Sequence, residues 1–322
     1  MNYFSPPFHL RNRHIQTIWS RLKPRRHHQQ FSKSHVVADD GELLTIQWLQ
    51  QPCQSHAGLV VLVHGLEGSA ASDYILGMAS ALQQQRFAVA IFEFRGCGQA
   101  PNTKARAYHS GEITDLQQVL TWLKRQYPLL TIDAVGFSLG GNVLARYLGT
   151  HGDNSLIDHA VIISAPLDLA ACATQMAHWS ARIYQRHLLS SLINKTIAKR
   201  HRVDWQSYTL PSDTELLQMN TFWQFDDRVT APLHGFSDAN DYYQQCSGKR
   251  YLHRITRPTL IIHAADDPFM NSDVIPKLSE LPSNIDYVLS QHGGHVGFIE
   301  GSWRKPVYWL EQTVPAWLSR RD

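Results

Sequence analysis

Gly136-Phe137-Ser138-Leu139-Gly140-Gly141 is the stretch on which the reading of this chain turns. Thr131 to Val135, just before it, is an apolar run with the length of a buried strand. After it, Leu139, Val143, Leu144, Tyr147 and Leu148 recur at helical spacing. A strand and a helix joined through Gly-x-Ser-x-Gly form a turn sharp enough to hold the serine hydroxyl proud of a sheet edge, a nucleophile elbow. The glycines follow from that geometry. A side chain two residues to either side of the serine would collide with neighbouring backbone, so positions 136 and 140 carry none. The serine itself is then expected in a strained conformation.

Upstream of the elbow, Ser34 to Ala38 and Leu43 to Leu49 flank Asp40-Gly41, a dipeptide suited to a tight hairpin, so the sheet should open with an antiparallel pair. Gly58 to Val63 and Ala88 to Phe92 are continuous apolar runs. Tyr74 to Leu82 and Ile113 to Leu123 carry helical periodicity, the latter with its apolar face at 113, 116, 119, 120 and 123. Strands alternating with helices imply right-handed crossovers and a buried parallel sheet with helices on both faces. Ahead of all this, Leu10 to Trp19 has the apolar content of a short packed segment. The chain therefore divides into an N-terminal arm with opening strands over residues 1–57 and an α/β domain over 58–322.

Downstream, Ala160 to Ser164 is a further strand ending at Pro166, and the next β-like run is Thr259 to His263. So long a helical departure from the alternation reads as a cap over the carboxyl ends of the strands, spanning about residues 167–237, where ligands bind in such sheets. Within it Leu188, Leu189, Leu192, Ile193 and Ile197 form a stripe that could line an acyl channel or simply pack the cap. A basic cluster follows at Lys199, Arg200, His201 and Arg202. Order resumes with Ile285 to Leu289 and a closing helix from about Lys305 to Leu318.

A serine hydroxyl is a poor nucleophile at neutral pH, so it needs a base within hydrogen-bond reach and a third group to orient that base. In a strand-elbow-helix sheet the expected chain order is Ser, acid, His. Ala265-Asp266-Asp267-Pro268 follows the strand at 259–263, and Gly293-Gly294-His295-Val296-Gly297-Phe298 follows the strand at 285–289. Each candidate lies just past the carboxyl end of its own strand, which converges them on Ser138. Among 18 histidines, His295 stands out because flanking glycines permit a sharp loop and close backbone approach. His292 is its competitor. A metal held by His292 and His295 together would need a helix, and the glycines argue against one. Charge developing on a tetrahedral intermediate requires preorganised N–H donors. His64-Gly65-Leu66-Glu67-Gly68-Ser69 follows an apolar strand and offers Leu66 N–H. Leu139 N–H, next to the serine at a helix N-terminus, offers the second.

Bulk properties narrow the classes further. With 322 residues, 43% hydrophobic and 18% charged, the chain is globular, and no run of eighteen apolar residues suits a bilayer. Met1 to Leu10 contains no apolar signal region, and the four cysteines form no Cys-x-x-Cys pair, so a disulfide framework or zinc site is not expected and a reducing cytoplasm is. A net charge of +3 is too small to imply nucleic acid. Arg11, Arg13, Arg21, Lys23, Arg25 and Arg26 concentrate positive charge near the start, which reads as a solvated arm or, alternatively, as a weak contact with an anionic membrane surface.

Taken together these motifs resemble the serine α/β-hydrolases, and more closely AB hydrolase family 4, which includes the bacterial YheT-type esterases. The likeness runs over nearly the whole chain: His14-Ile15-Gln16-Thr17 in the arm, His64-Gly65-Leu66-Glu67-Gly68-Ser69, Phe94-Arg95-Gly96-Cys97-Gly98, the elbow, Asp266-Asp267-Pro268 and Gly294-His295-Val296-Gly297-Phe298. Arg13 before His14 and Ala70 after Ser69 depart from the family's usual pattern. The resemblance implies cofactor-free hydrolysis of small-molecule carboxylic esters, with lipid-like acyl esters used by relatives. It matches the triad to Ser138, Asp267 and His295, placing the acid immediately before proline. An acyltransferase or thioesterase would use the same triad. A catalytically silent binding protein is the reading from another class, and it would gain nothing from retaining all three residues.

Overall fold

The computed structural model describes residues 3–25, 30–53, 55–98, 102–200, 202, 203, 205 and 208–320, so Arg26 and His201 of the two basic clusters lie outside the described residues. Eight strands form one sheet: β1 (Ser32–Val37), β2 (Leu43–Gln50), β3 (Gly58–Val63), β4 (Phe87–Glu93), β5 (Ile132–Phe137), β6 (Ala160–Ile163), β7 (Thr259–Ala264) and β8 (Ile285–Ser290). Their spatial order is β1-β2-β4-β3-β5-β6-β7-β8. The β1–β2 and β2–β4 pairs are antiparallel and the rest parallel, as the hairpin at Asp40-Gly41 and the strand-helix alternation predict. Opening strands and elbow thus share one sheet.

Because side chains alternate across a strand, the central runs feed two cores. Val60 and Leu62 of β3 and Val135 and Phe137 of β5 pack beneath α3 (Asp73–Gln84) and the closing helix, through Ile75, Met78, Leu82, Leu310 and Val314. Leu59, Val61 and Val63 face the other way. There they meet Leu116, Val119, Leu120 and Leu123 along one side of a helix at Thr114–Gln126, and Val143, Leu144 and Leu148 of the elbow helix at Leu139–His151.

Naming helices in chain order, the arm supplies α1 (Arg13–Thr17) and α2 (Trp19–Leu22). The sheet carries α3, α4 (Thr114–Gln126) and α5 (Leu139–His151). Between β6 and β7 lie α6 (Leu169–Ala177), α7 (Arg182–Arg200), α8 (Asp213–Gln218), α9 (Phe222–Phe225), α10 (Ala231–His234) and α11 (Ala239–Cys246). The chain closes with α12 (Trp309–Leu318). The inserted helices make small cores of their own, one of them formed by Leu189, Ile193, Leu216, Phe225, Val229 and Leu233. No described helix is long and apolar enough to cross a membrane.

Two expectations need correction. The closing helix begins at Trp309, because Pro306–Tyr308 pairs as β10 with β9 (Ile299–Gly301) in a separate two-stranded ribbon. The basic arm is not simply solvated. Arg25 bonds Asp73 at 2.9 Å and Glu311 at 2.7 Å, and its guanidinium lies 3.8 Å from the Tyr308 ring centre, so it staples the arm to α3 and α12. Arm packing also survives the unusual Arg13. Gln16 is buried and bonds Leu10 O at 2.7 Å and both backbone groups of Ile299, while Leu10 and Trp19 close a core with Ile299.

Candidate active site

Ser138 joins β5 to α5 with φ +50° and ψ −121°, the strained backbone that a strand-to-helix elbow demands. The surroundings hold it there. Its N–H donates to Ile163 O at 2.8 Å, and its carbonyl accepts from Gly141 N–H at 2.9 Å. The flanking glycines are steric necessities: a Cβ on Gly136 would stand 2.5 Å from Gly140 O, and one on Gly140 would stand 2.4 Å from Val63 O.

Ser138 Oγ is 2.9 Å from His295 Nε2, and His295 Nδ1 is 2.8 Å from Asp267 Oδ2. Asp267 is almost wholly buried, and its other oxygen accepts Phe269 N–H at 2.8 Å. A carboxylate at Nδ1 keeps that nitrogen protonated and leaves Nε2 free to accept the serine proton. The neighbouring pair is separate. His292 Nδ1 lies 3.3 Å from Asp266 Oδ2, while Asp266 Oδ1 accepts Gly294 N–H at 2.9 Å, so the adjacent acid braces the histidine loop. Burial pushes the Asp266 carboxyl up from its ordinary value.

The Gly65-Leu66 peptide lies against the serine, for a Cβ on Gly65 would stand 3.1 Å from Ser138 Cβ. Its orientation is set by His64, which is fully buried. Nε2 accepts Phe94 N–H at 3.2 Å, so Nδ1 carries the proton and donates to Gly65 O at 2.8 Å. Burial holds this imidazole's pKa down to about 4, keeping it neutral. Gly68 N–H donates to the same carbonyl at 3.0 Å. In a trans peptide the N–H points opposite the carbonyl, so Leu66 N–H is turned away from these donors. Among the described residues neither Leu66 N–H nor Leu139 N–H has an acceptor.

Two cavities meet at Ser138 and His295. One, of about 250 Å³, runs beneath the inserted helices and is walled by Leu139, Leu169, Leu188, Leu192, Phe225 and Val229. The other, of about 740 Å³, lies between the arm and α7 and is bounded by Trp19, Arg21, Tyr184 and His187. The α7 stripe therefore divides. Leu188 borders both cavities and Leu192 faces the first, whereas Leu189 and Ile193 are buried in the helical core, on which Leu192 and Ile197 pack. Lys199 also turns inward, donating to Ala105 O at 2.7 Å, and burial draws its pKa down to about 8.

Several contacts that hold the site were not read from the sequence. Thr17 Oγ1 accepts His295 N–H at 2.9 Å, which makes the arm part of the histidine loop's support. Gly294 has φ +56°, and a Cβ there would lie 2.5 Å from Arg13 O. Ser164 Oγ accepts Val296 N–H at 3.2 Å, and Phe269 stacks on the His295 ring at 4.0 Å. The arm motif His14-Ile15-Gln16-Thr17, part of the family resemblance, was the available signal.

Comparison with known proteins bears on this arrangement. The family described as alpha/beta hydrolase fold matches residues 58–302. The chain belongs to the α/β-hydrolase family. This α/β-hydrolase is 42% identical over 318 residues, covering 98% of the chain and 93% of its relative, to the Escherichia coli (strain K12) protein named "Putative esterase YheT". It is 28% identical to the human protein named "Monoacylglycerol lipase ABHD2", covering 97% of the chain and 78% of that protein. A yeast relative named "Medium-chain fatty acid ethyl ester synthase/esterase 2" is 27% identical, covering 88% of the chain and 64% of that protein. Among solved structures, the Pyrococcus furiosus esterase Pf2001 superposes with a TM-score of 0.58 at 17% identity, covering 91% of this chain and 88% of that one, a likeness of fold.

Proposed function

We propose that this α/β-hydrolase is a serine esterase acting on carboxylic esters with a lipid-like acyl group. The observation that carries the reading is the continuous line from Asp267 through His295 to Ser138 Oγ, with bonds of 2.8 and 2.9 Å. Ser138 Oγ attacks the ester carbonyl as His295 Nε2 takes its proton, and Asp267 orients the imidazole and stabilises its charged form. The carbonyl oxygen becomes an oxyanion facing Leu66 N–H and Leu139 N–H, the latter at the N-terminus of α5 where the helix dipole favours negative charge. His295 returns the proton to the leaving alkoxide. Water, deprotonated by the same imidazole, then releases the acid from Ser138.

The apolar cavity and the names of the lipase and esterase relatives support an acyl chain as the group held beneath the inserted helices. A series of p-nitrophenyl esters from acetate to decanoate tests this. Turnover that vanishes in Ser138→Ala and climbs with chain length is expected, and turnover unchanged in that variant overturns the proposal. Transfer of the acyl group to an alcohol is a second reading, favoured by the yeast relative's name and by the second cavity at the serine. Added ethanol yielding ethyl ester at the expense of free acid would show it.

A further inference from the structure

Glu67 links the candidate oxyanion donor to the helix that lines the acyl cavity. It follows Leu66 directly and holds φ +56°, a backbone region costly for a side chain of its size. Its own N–H donates to Tyr108 Oη at 2.9 Å, and that hydroxyl donates back to Glu67 Oε1 at 2.7 Å. Both carboxylate oxygens also reach α7: Lys195 Nζ is 2.9 Å from Oε1, and Ser191 Oγ donates to Oε2. The carboxylate is thus almost fully buried and bonded from two sides.

Residues 188, 191, 192 and 195 lie three and four apart on α7, one face of a helix. Leu188 and Leu192 on that face wall the acyl cavity, and Ser191 and Lys195 hold Glu67. Any movement of α7 that accommodates an acyl chain is therefore delivered, through one carboxylate, to the residue next to Leu66 N–H. Released from α7, Glu67 would lose two charge-assisted bonds, and its left-handed backbone would be held only by Tyr108 and by the Gly68 N–H to Gly65 O bond that closes the turn around it.

We propose that Glu67 is a positioning residue through which α7 couples occupancy of the acyl cavity to formation of the oxyanion hole. The proposal rests on the serine-esterase reading above and names how that site selects its acyl group. Chain length then governs the chemical step as well as binding, because a seated chain fixes α7 and α7 fixes the donor.

The test uses the full chain and two inhibitors with the same octyl group. An octyl trifluoromethyl ketone forms a tetrahedral adduct with Ser138 and needs the oxyanion hole, whereas 1-octanol occupies the cavity without one. In Ser191→Ala, which removes one of the two bonds from α7 to Glu67 and leaves the triad and the lining of the acyl cavity untouched, the ketone should bind about tenfold more weakly, a part of the 10²–10³ that loss of an oxyanion donor costs. Octanol inhibition should be unchanged. Glu67→Ala should reproduce the effect, and Glu67→Gln, which keeps an acceptor for α7, should recover part of it. Equal weakening of both inhibitors, or of neither, overturns the coupling. Reaction of the wild type with a fluorophosphonate at Ser138 is the control for the underlying reading, and its absence would overturn that reading and the coupling with it.

Discussion

Asp267→Asn separates two carboxylates that sit side by side, and the structure sets the expected size of the effect. Asp267 Oδ2 accepts from His295 Nδ1 at 2.8 Å while Oδ1 accepts Phe269 N–H at 2.8 Å. An asparagine preserves the second bond and the shape, so the fold survives. Its amide presents N–H to His295 Nδ1, which drives the ring proton to Nε2 and removes the acceptor that Ser138 Oγ requires. That tautomer error costs about 10⁴ in turnover, or about 5 kcal/mol of transition-state stabilisation. Asp266→Asn keeps an oxygen for Gly294 N–H and loses the 3.3 Å pairing with His292, whose side chain is 36% exposed. A part-exposed pair of that kind contributes about 1 kcal/mol or less, so turnover should fall no more than about tenfold. The assay is kcat on a p-nitrophenyl ester for both variants, with thermal unfolding to confirm the fold. Equal losses, or a larger loss in Asp266→Asn, would refute the assignment of the acid.

Three further outcomes follow. Each methylene buried in the apolar cavity contributes about 0.8 kcal/mol, so kcat/KM should climb about three- to fourfold per carbon until the cavity fills; Leu192→Phe should shorten the best chain and spare acetate, and a flat profile would sink the lining role. Gly140→Ala drives a Cβ to 2.4 Å from a backbone oxygen and should cost roughly 3 kcal/mol in urea unfolding. Gly235→Ala, with nothing within 4 Å and φ +76°, should cost about 1 kcal/mol, and equal losses would contradict the packing account. Burial raises the Asp226 carboxyl from 3.8 to about 6, so the native state binds the extra proton and wild-type stability falls as pH rises through that window. Asp226→Asn keeps an acceptor for one of the two hydroxyls of Thr230 and Tyr243 and turns an N–H toward the other, whose oxygen can accept it, so the variant should flatten the dependence between about pH 4 and pH 7, as followed by denaturant unfolding.

What could be read from the sequence and what could not differ in their physical origin. The sheet was legible because buried parallel strands are uninterrupted apolar runs, and Gly58–Val63 coincides with β3 to the residue. The elbow was legible because its steric demand leaves glycines at fixed offsets. Ser138, His295 and Asp267 lie along one line of hydrogen bonds, each just past the carboxyl end of a parallel strand. The arm's part was hidden, since Thr17 and His295 are 278 residues apart and no local pattern records a hydroxyl accepting a distant backbone N–H. Pro306–Tyr308 was misread as helix because three residues are too few to show a period of two. The α7 stripe carried both its readings at once: periodicity identifies an apolar face, and only the packed neighbours divide Leu188 and Leu192 from Leu189 and Ile193.

The most direct measurement is the site and stoichiometry of covalent labelling by an alkyl fluorophosphonate, read by intact mass and peptide mapping. One adduct per chain on Ser138 is expected, absent in Ser138→Ala and greatly slowed in His295→Gln, because only a serine activated by that imidazole attacks phosphorus at neutral pH. An adduct on another residue, or equal labelling of wild type and Ser138→Ala, would contradict the account.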